Sequence, residues 1–149
     1  MTPGEPITVL CADDNEQVGL ALRHWLSRAG RYVWLGHLLS ADHLVHEVQR
    51  LRPRIVLLDL DMPGAEPLAT LGELSKVCPD ARVVVFTGHV RLDLIERTME
   101  AGGWGYVSKN DGERHLTAAI EAVLQGELYM SPEAHGMLAG PEHPRAAEG

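Results

Sequence analysis

The chain has 149 residues, enough for one domain with a sizeable core, and its 45% apolar and 23% charged residues are a globular balance rather than a disordered or fibrous one. The formal charge is −8, from 13 Lys plus Arg against 21 Asp plus Glu. That argues against nucleic-acid binding by this chain alone, and suits a protein that collects a cation or meets a basic partner surface. No apolar run exceeds strand length, so no membrane span is expected. The N-terminal run MTPGEPITVL has no basic segment before an apolar core, so no secretory signal is expected either. The expected location is cytoplasmic, with Cys11 and Cys78 as reduced thiols.

Short apolar runs alternate with amphipathic stretches along the chain. Ile7 to Ala12 reads as a buried strand, followed by Asp13, Asp14 and Asn15 as loop and helix-start residues. Val18, Leu22, Trp25, Leu26 and Ala29 recur at helical spacing, and Gly30 stops that helix. Tyr32 to Leu35 is the second strand. Ser40 is the expected cap of a helix carrying Leu44, Val45, Val48 and Leu51, which ends before Pro53. On that helix His43, His46 and Glu47 share a solvated polar face. Ile55 to Asp59 is the third strand, and Pro67 opens a helix with Leu68, Leu71, Leu74 and Val77 on one face. Arg82 to Thr87 is the fourth strand. Leu92, Ile95 and Met99 mark the next helix, closed by Gly102 and Gly103, before a short fifth strand from Gly105 to Ser108. Asp111 is the expected cap of the last long helix, with Leu116, Ala119, Ile120, Val123 and Leu124 inward and Gly126 as its stop.

Five strand–helix units of this length predict a parallel sheet, and strands so continuously apolar belong in a sheet covered on both faces. The expected fold is therefore a doubly wound α/β domain. Its boundaries fall at an N-terminal extension over 1–6, the domain over 7–126, a short helix within 127–139 and a flexible tail or linker over 140–149.

In such a sheet, ligands sit where the strands end at their carboxyl side. Strand one ends at Asp13 and Asp14, strand three at Asp59, strand four at Thr87 and strand five at Lys109. Three close carboxylates repel one another and call for a cation, and hard oxygen donors select Mg²⁺. A carboxylate can act as a nucleophile through an aspartyl phosphate, with a cation, a Lys and a hydroxyl neutralising the transferred group.

These residues resemble the receiver domain of bacterial two-component response regulators. The resemblance rests on Asp13-Asp14, on LLDLDMPG around Asp59, on VVVFTG with Thr87, and on AGGWGYVSKN with Tyr106 and Lys109. It covers roughly residues 7–126, and LLDLDMPG with the later LQGELYMSPE looks most like the NarL/FixJ-type subgroup. It implies a five-stranded flavodoxin-like (CheY-like) sheet of order 2-1-3-4-5. It implies that Asp59 is the phosphoacceptor, with Thr87 and Lys109 holding phosphoryl oxygens. Mg²⁺ would lie on Asp14 and Asp59, with Asp13 helping through water and the Asp61 backbone carbonyl completing the set. Tyr106 would be an aromatic switch coupled to Thr87. The readout would use the fourth helix, fifth strand and fifth helix. A sensor histidine kinase is the implied partner, with a homodimer through that face or through the first and fifth helices.

Four features depart from the family pattern. Asn110 stands where Lys109 is usually followed by a cis proline. GAEPL lacks the second glycine common after Met-Pro-Gly. Trp104 replaces a small or polar residue and is a candidate partner contact. The 23 residues after Gly126 are too few for a helix-turn-helix domain, so the expectation is a free-standing receiver that docks to a partner or, the favoured reading, a receiver whose DNA-binding domain is absent from this chain. His89, two residues after Thr87, is a candidate for tuning water access. Two other readings fit parts of the pattern. Asp59-Leu60-Asp61 matches the Asp-x-Asp motif of haloacid-dehalogenase-type phosphatases, but the acidic pair precedes it here instead of following last. A pseudo-receiver that works without phosphorylation is the other.

Overall fold

In the computed structural model, which describes residues 5–139, the chain alternates strands and helices. The order is β1 (Ile7–Ala12), α1 (Glu16–Arg28), β2 (Tyr32–Leu38), α2 (Leu44–Leu51), β3 (Ile55–Leu58), α3 (Pro67–Val77), β4 (Arg82–Thr87), α4 (Leu92–Glu100), β5 (Gly105–Ser108), a 3₁₀ turn (Lys109–Asp111), α5 (Glu113–Leu124), β6 (Tyr129–Met130) and α6 (Pro132–Ala139). All strands pair in parallel, in the order β2-β1-β3-β4-β5-β6. No helix among the described residues is long and apolar enough to cross a membrane. The tail expected over 140–149 lies outside the described residues.

The helices start and stop for local reasons. The Asn15 side chain accepts the amides of Gln17 at 2.9 Å and Val18 at 3.4 Å and so caps α1. Glu66 does the same for α3, accepting Leu68 N at 3.0 Å and Ala69 N at 3.2 Å, with Pro67 at the first helical position. Two caps expected from sequence are corrected. Ser40 accepts the Asp42 amide one turn too early, and α2 follows His43 with no side-chain cap. Gly112, at φ +89°, precedes α5, while the Asp111 carboxylate turns away to accept Glu133 N at 2.9 Å.

The core lies on both faces of the sheet. On one side Leu22, Leu26, Leu116, Ile120 and Val123 cover Val9, Cys11, Leu57 and Val84. On the other, Leu44, Val48, Leu68, Leu71 and Leu74 cover Leu10, Val56, Leu58 and Val83. Neither Cys11 nor Cys78 is in a disulfide, and burial pushes the Cys11 thiol pKa up.

The sheet has one strand more than expected. In β6, Tyr129 N donates to Trp104 O at 3.1 Å and Ser131 N to Tyr106 O at 3.0 Å. The chain then turns into α6, which lies on β5 and α4. There Ala134 joins Val85, Ile95 and Tyr106 in a third buried cluster. A two-residue strand carries no period of its own, so only this tertiary pairing defines it. The second strand also runs three residues past its expected end at Leu35, because a bulge opposite Val9 and Leu10 lets pairing continue to Leu38.

Candidate functional site

The strand order reverses between β1 and β3, and the acidic residues meet there. Asp13 N is tied to Leu38 O and Asp59 N to Ala12 O, each at 2.9 Å, so both residues extend the sheet by one rung beyond the apolar strands. Carboxylate oxygens of Asp13, Asp14 and Asp59 all lie within 4.8 Å of one another. Asp13 and Asp59 are buried and Asp14 is exposed. The Lys109 ammonium reaches in from the end of β5, 2.8 Å from Asp13 Oδ2 and 3.4 Å from Asp59 Oδ2. The other Asp59 oxygen, Oδ1, is buried and makes no close hydrogen bond among the described residues, although the Thr87 hydroxyl and the Asp61 amide lie near enough to the carboxylate to lower its pKa.

A buried carboxylate oxygen without a close hydrogen bond costs free energy, and a ligand that it could coordinate would offset that cost. Asp59 Oδ1, a second buried carboxylate and an exposed third give oxygen-only donors with one side open to water. That donor set fits a hard divalent cation. Burial pushes the Asp59 pKa up; Lys109 pulls it back, Asp13 pushes it up again, and the Thr87 hydroxyl and Asp61 amide lower it, leaving it above the ordinary carboxylate range. Burial works against the Lys109 charge, but its hydrogen bond to Asp13 and the charge of Asp59 outweigh that and raise its pKa.

A prediction follows from the sign of the Asp59 shift. A carboxyl with a raised folded pKa adds stability below its unfolded value and loses it as pH rises through the folded one. At neutral pH the metal-free wild type therefore carries the full penalty. Asp59→Asn removes it and is expected to stabilise the metal-free protein by about 1 kcal/mol, a rise of a few degrees in Tm. Thermal melts across pH check this: the gap closes on acidification. An equal or lower Tm for the variant at neutral pH would refute it.

Of the remaining predicted residues, Thr87, Tyr106 and His89 form one linked group and the others lie elsewhere. Thr87 is fully buried at the end of β4, and its hydroxyl oxygen accepts His89 N at 3.2 Å. Tyr106 is also fully buried, its ring turned in against Val85, Ile95 and Ala134, and its hydroxyl donates to the His89 carbonyl. One residue, His89, thus links Thr87 and Tyr106 through its own amide and carbonyl. Its side chain lies at the rim, Nε2 3.2 Å from Asp61 Oδ2. The Asp61 carboxylate is exposed and stands outside the acidic cluster. Trp104 lies at the opposite, amino-terminal end of β5. It packs against the core, and the Arg82 guanidinium covers its ring 4.1 Å from the centroid. His43, His46 and Glu47 form the expected polar surface, where Glu47 is paired with Arg50 at 2.7 Å.

Two departures from the family pattern have local solutions. The Lys109–Asn110 peptide is trans, and Asn110 N bonds Ser108 Oγ at 3.0 Å to close the 3₁₀ turn that presents Lys109. After Met-Pro-Gly, Asp42 accepts Ala65 N at 2.7 Å and pins the loop. Gly64 is required there: its φ is +85°, and a Cβ would meet the Asp42 carboxylate at 2.5 Å.

Several supporting residues were missed from sequence: His37, Asp42, Glu66, Ser131 and Glu133. Ser131 Oγ accepts Ser108 N at 3.0 Å, and Glu133 accepts from Ser108 Oγ and, at 3.2 Å, from Asn110 Nδ2. The signal for the last two was present, since Ser-Pro-Glu is a helix start.

A doubly wound parallel sheet with an acidic cluster, a buried hydroxyl and a lysine at its carboxyl edge is the architecture of a receiver-type signalling domain. The sequence model of the response regulator receiver domain matches residues 9–121, and the chain belongs to that family, a phosphoacceptor signalling module rather than an enzyme acting on a separate substrate. It is 29% identical over 136 residues to the transcriptional activator protein ExaE of Pseudomonas putida, covering 91% of this chain and 64% of that one. It is 27% identical over 139 residues to the nitrate/nitrite response regulator protein NarL of Escherichia coli, covering 93% and 64%. Among solved structures, a LuxR-family two-component response regulator from an Aurantimonas species superposes with a TM-score of 0.85 at 27% identity, covering 91% of this chain and 96% of that one. NarL and the LuxR-family regulator are relatives of the kind that the resemblance to the NarL/FixJ subgroup implies. The chain spans 64% of the length of each of the two curated relatives.

Proposed function

We propose that Asp59 accepts a phosphoryl group from the phosphohistidine of a sensor kinase in a Mg²⁺-dependent reaction, and that the domain thereby switches a transcriptional output. The observation that carries this reading is the buried Asp59 Oδ1, which makes no close hydrogen bond among the described residues, beside two further carboxylates, with Lys109 on the other oxygen. Asp13, Asp14, Asp59 and the Asp61 backbone carbonyl would hold Mg²⁺, which when bound supplies positive charge against the phosphoryl oxygens.

An Asp59 oxygen attacks phosphorus as the donor's P–N bond breaks, and the departing imidazole takes a proton from solvent. Lys109 stays paired with the site and neutralises a phosphoryl oxygen. The Thr87 hydroxyl accepts from His89 N and faces the Asp59 carboxylate, so its own proton can pass from Asp59 to a phosphoryl oxygen. That donation pulls on the Thr87–His89–Tyr106 chain, a two-state element of the kind a switch requires. The readout surface is α4, β5 and α5, together with α6, which rests on α4 and β5. The output is transcription through a DNA-binding domain that is not among these residues, in the cytoplasm, and a homodimer through the α4-β5-α5 or the α1-α5 face is part of the proposal. The relatives' roles and the acidic charge of this chain support that division of labour.

Borohydride reduces an aspartyl phosphate to homoserine, so peptide mapping after trapping tests the site. Homoserine at residue 59 is expected. Homoserine elsewhere, or none, contradicts the reading, and release of phosphate from an ester would point to a phosphatase instead. A second prediction concerns the rim. His89→Ala opens the mouth of the site to water and is expected to speed loss of the phosphoryl group about threefold or more. An unchanged decay rate, followed by loss of the adduct mass, would rule this out.

A further inference from the structure

We infer that His37 is a positioning residue for the acidic pair, holding the Asp13–Asp14 peptide so that Asp14 is presented to the cation. This rests on reading the Asp13, Asp14 and Asp59 cluster as a Mg²⁺ site. The His37 Nε2 lies 2.6 Å from the carbonyl oxygen of Asp13. A carbonyl only accepts, so Nε2 carries the proton and donates. That carbonyl belongs to the peptide unit joining Asp13 to Asp14. Fixing its plane fixes the direction in which the backbone enters Asp14.

Three features of the chain converge on this bond. The first is the bulge between β1 and β2. Val9 pairs with Trp34, but Leu10 pairs with Gly36, leaving Leu35 without an opposite residue. Simple alternation from Tyr32 and Trp34, which pack on the α1 side, would put His37 on the other face. The bulge resets the alternation and returns His37 to the α1 side, at the last rungs of the strand. Bulges beside functional sites re-aim side chains in this way.

The second feature is Gly19. It is buried at the fourth position of α1, inside the helix, where glycine is a poor helix former. The imidazole of His37 occupies the space its missing side chain leaves: a Cβ on residue 19 would stand 2.1 Å from Nδ1 and 2.2 Å from Cε1. An otherwise unfavourable residue is thus explained by the ring it admits.

The third is how completely Asp13 is held compared with Asp14. Asp13 N bonds Leu38 O at 2.9 Å, its Oδ1 accepts Asn15 N at 2.9 Å, and its Oδ2 meets Lys109 at 2.8 Å. Asp14 is exposed. With Asp13 fixed on its amide and side chain, the His37 bond adds its carbonyl, and the orientation of the next residue follows. Groups that orient metal-binding residues in this way typically matter about tenfold or more in metal affinity.

The test is a calorimetric titration of the full chain with magnesium chloride, at a temperature where every variant is folded by circular dichroism. His37→Ala is expected to weaken binding about tenfold. His37→Gln, whose amide nitrogen sits near the position of Nε2, is expected to recover most of the loss. Gly19→Ala gives an independent route, because it favours the helix while pushing the ring out of its place. It is expected to weaken Mg²⁺ binding in the wild type and to change nothing further in His37→Ala, since both act through one bond. Folded His37→Ala and Gly19→Ala proteins with wild-type Mg²⁺ affinity overturn the inference alone. Should His37→Ala not fold, Gly19→Ala with unchanged affinity overturns it equally. A wild type that binds no Mg²⁺ overturns the reading of the cluster itself, and the inference with it.

Discussion

Lys109→Ala is expected to destabilise the metal-free protein by about 2 kcal/mol at neutral pH, because removing one partner of a buried ion pair leaves the others uncompensated. Lys109 is the cation between Asp13 and Asp59, at 2.8 and 3.4 Å, and both carboxylates are buried. Its side chain is 25% exposed, which puts the cost below that of a fully enclosed pair. The pH dependence has a definite sign. The Lys109 pKa is raised on folding, so its contribution is present below the ordinary lysine value and fades only as pH rises through the raised one. On the acid side the deficit shrinks when the carboxylates take up protons. Mg²⁺ replaces the missing charge, so saturating Mg²⁺ restores more stability to the variant than to the wild type. Denaturant melts with and without Mg²⁺ check both statements. A Lys109→Ala protein as stable as wild type without metal contradicts the account of the site. Under the proposed function phosphorylation should nevertheless fall steeply in the variant, by about a hundredfold, because the ammonium would neutralise the transferred group.

Ending the chain at Leu128 is the second large effect. It removes the β6 bonds to Trp104 O and Tyr106 O and the Ser131 hydroxyl from Ser108 N. It also uncovers Tyr106, Val85 and Ile95 where Ala134 and Met130 now lie. Burial of this apolar surface and the lost hydrogen bonds together give an expected loss of about 3 kcal/mol, or about 10 °C in Tm. The same cut releases Ser108 and Asn110 from Glu133, so the turn that carries Lys109 loses its outer support. A protein ending at Leu128 that melts with the full chain would instead support a domain boundary at Gly126 and make α6 an appendage.

Much of this was legible in the sequence, and the parts that were not share a cause. Strands such as ITVLCA and RVVVFT are apolar throughout and flanked by polar turns, so position and type follow from local pattern. The candidate site residues follow the ends of those strands, which is why the sequence alone brings Asp13, Asp59, Thr87 and Lys109 together. What escaped depends on contacts between distant segments. Nothing near Leu35 marks a bulge. Asp111 is a plausible cap for α5 until α6 offers it Glu133 N. Asp42 has no local pattern that marks it, and only the return of the chain with Gly64 and Ala65 gives it a partner. Trp104 reads as a candidate partner contact because its cover, Arg82, belongs to another strand. In each case tertiary geometry, not local propensity, decides the partner.

The most direct test of the central claim is intact mass after incubation of the full chain with Mg²⁺ and acetyl phosphate, beside an Asp59→Asn control. The account predicts one added phosphoryl group, absent without Mg²⁺ and absent in the control. No adduct on the wild type under conditions where it is folded and binds Mg²⁺, or an equal adduct on Asp59→Asn, would contradict it.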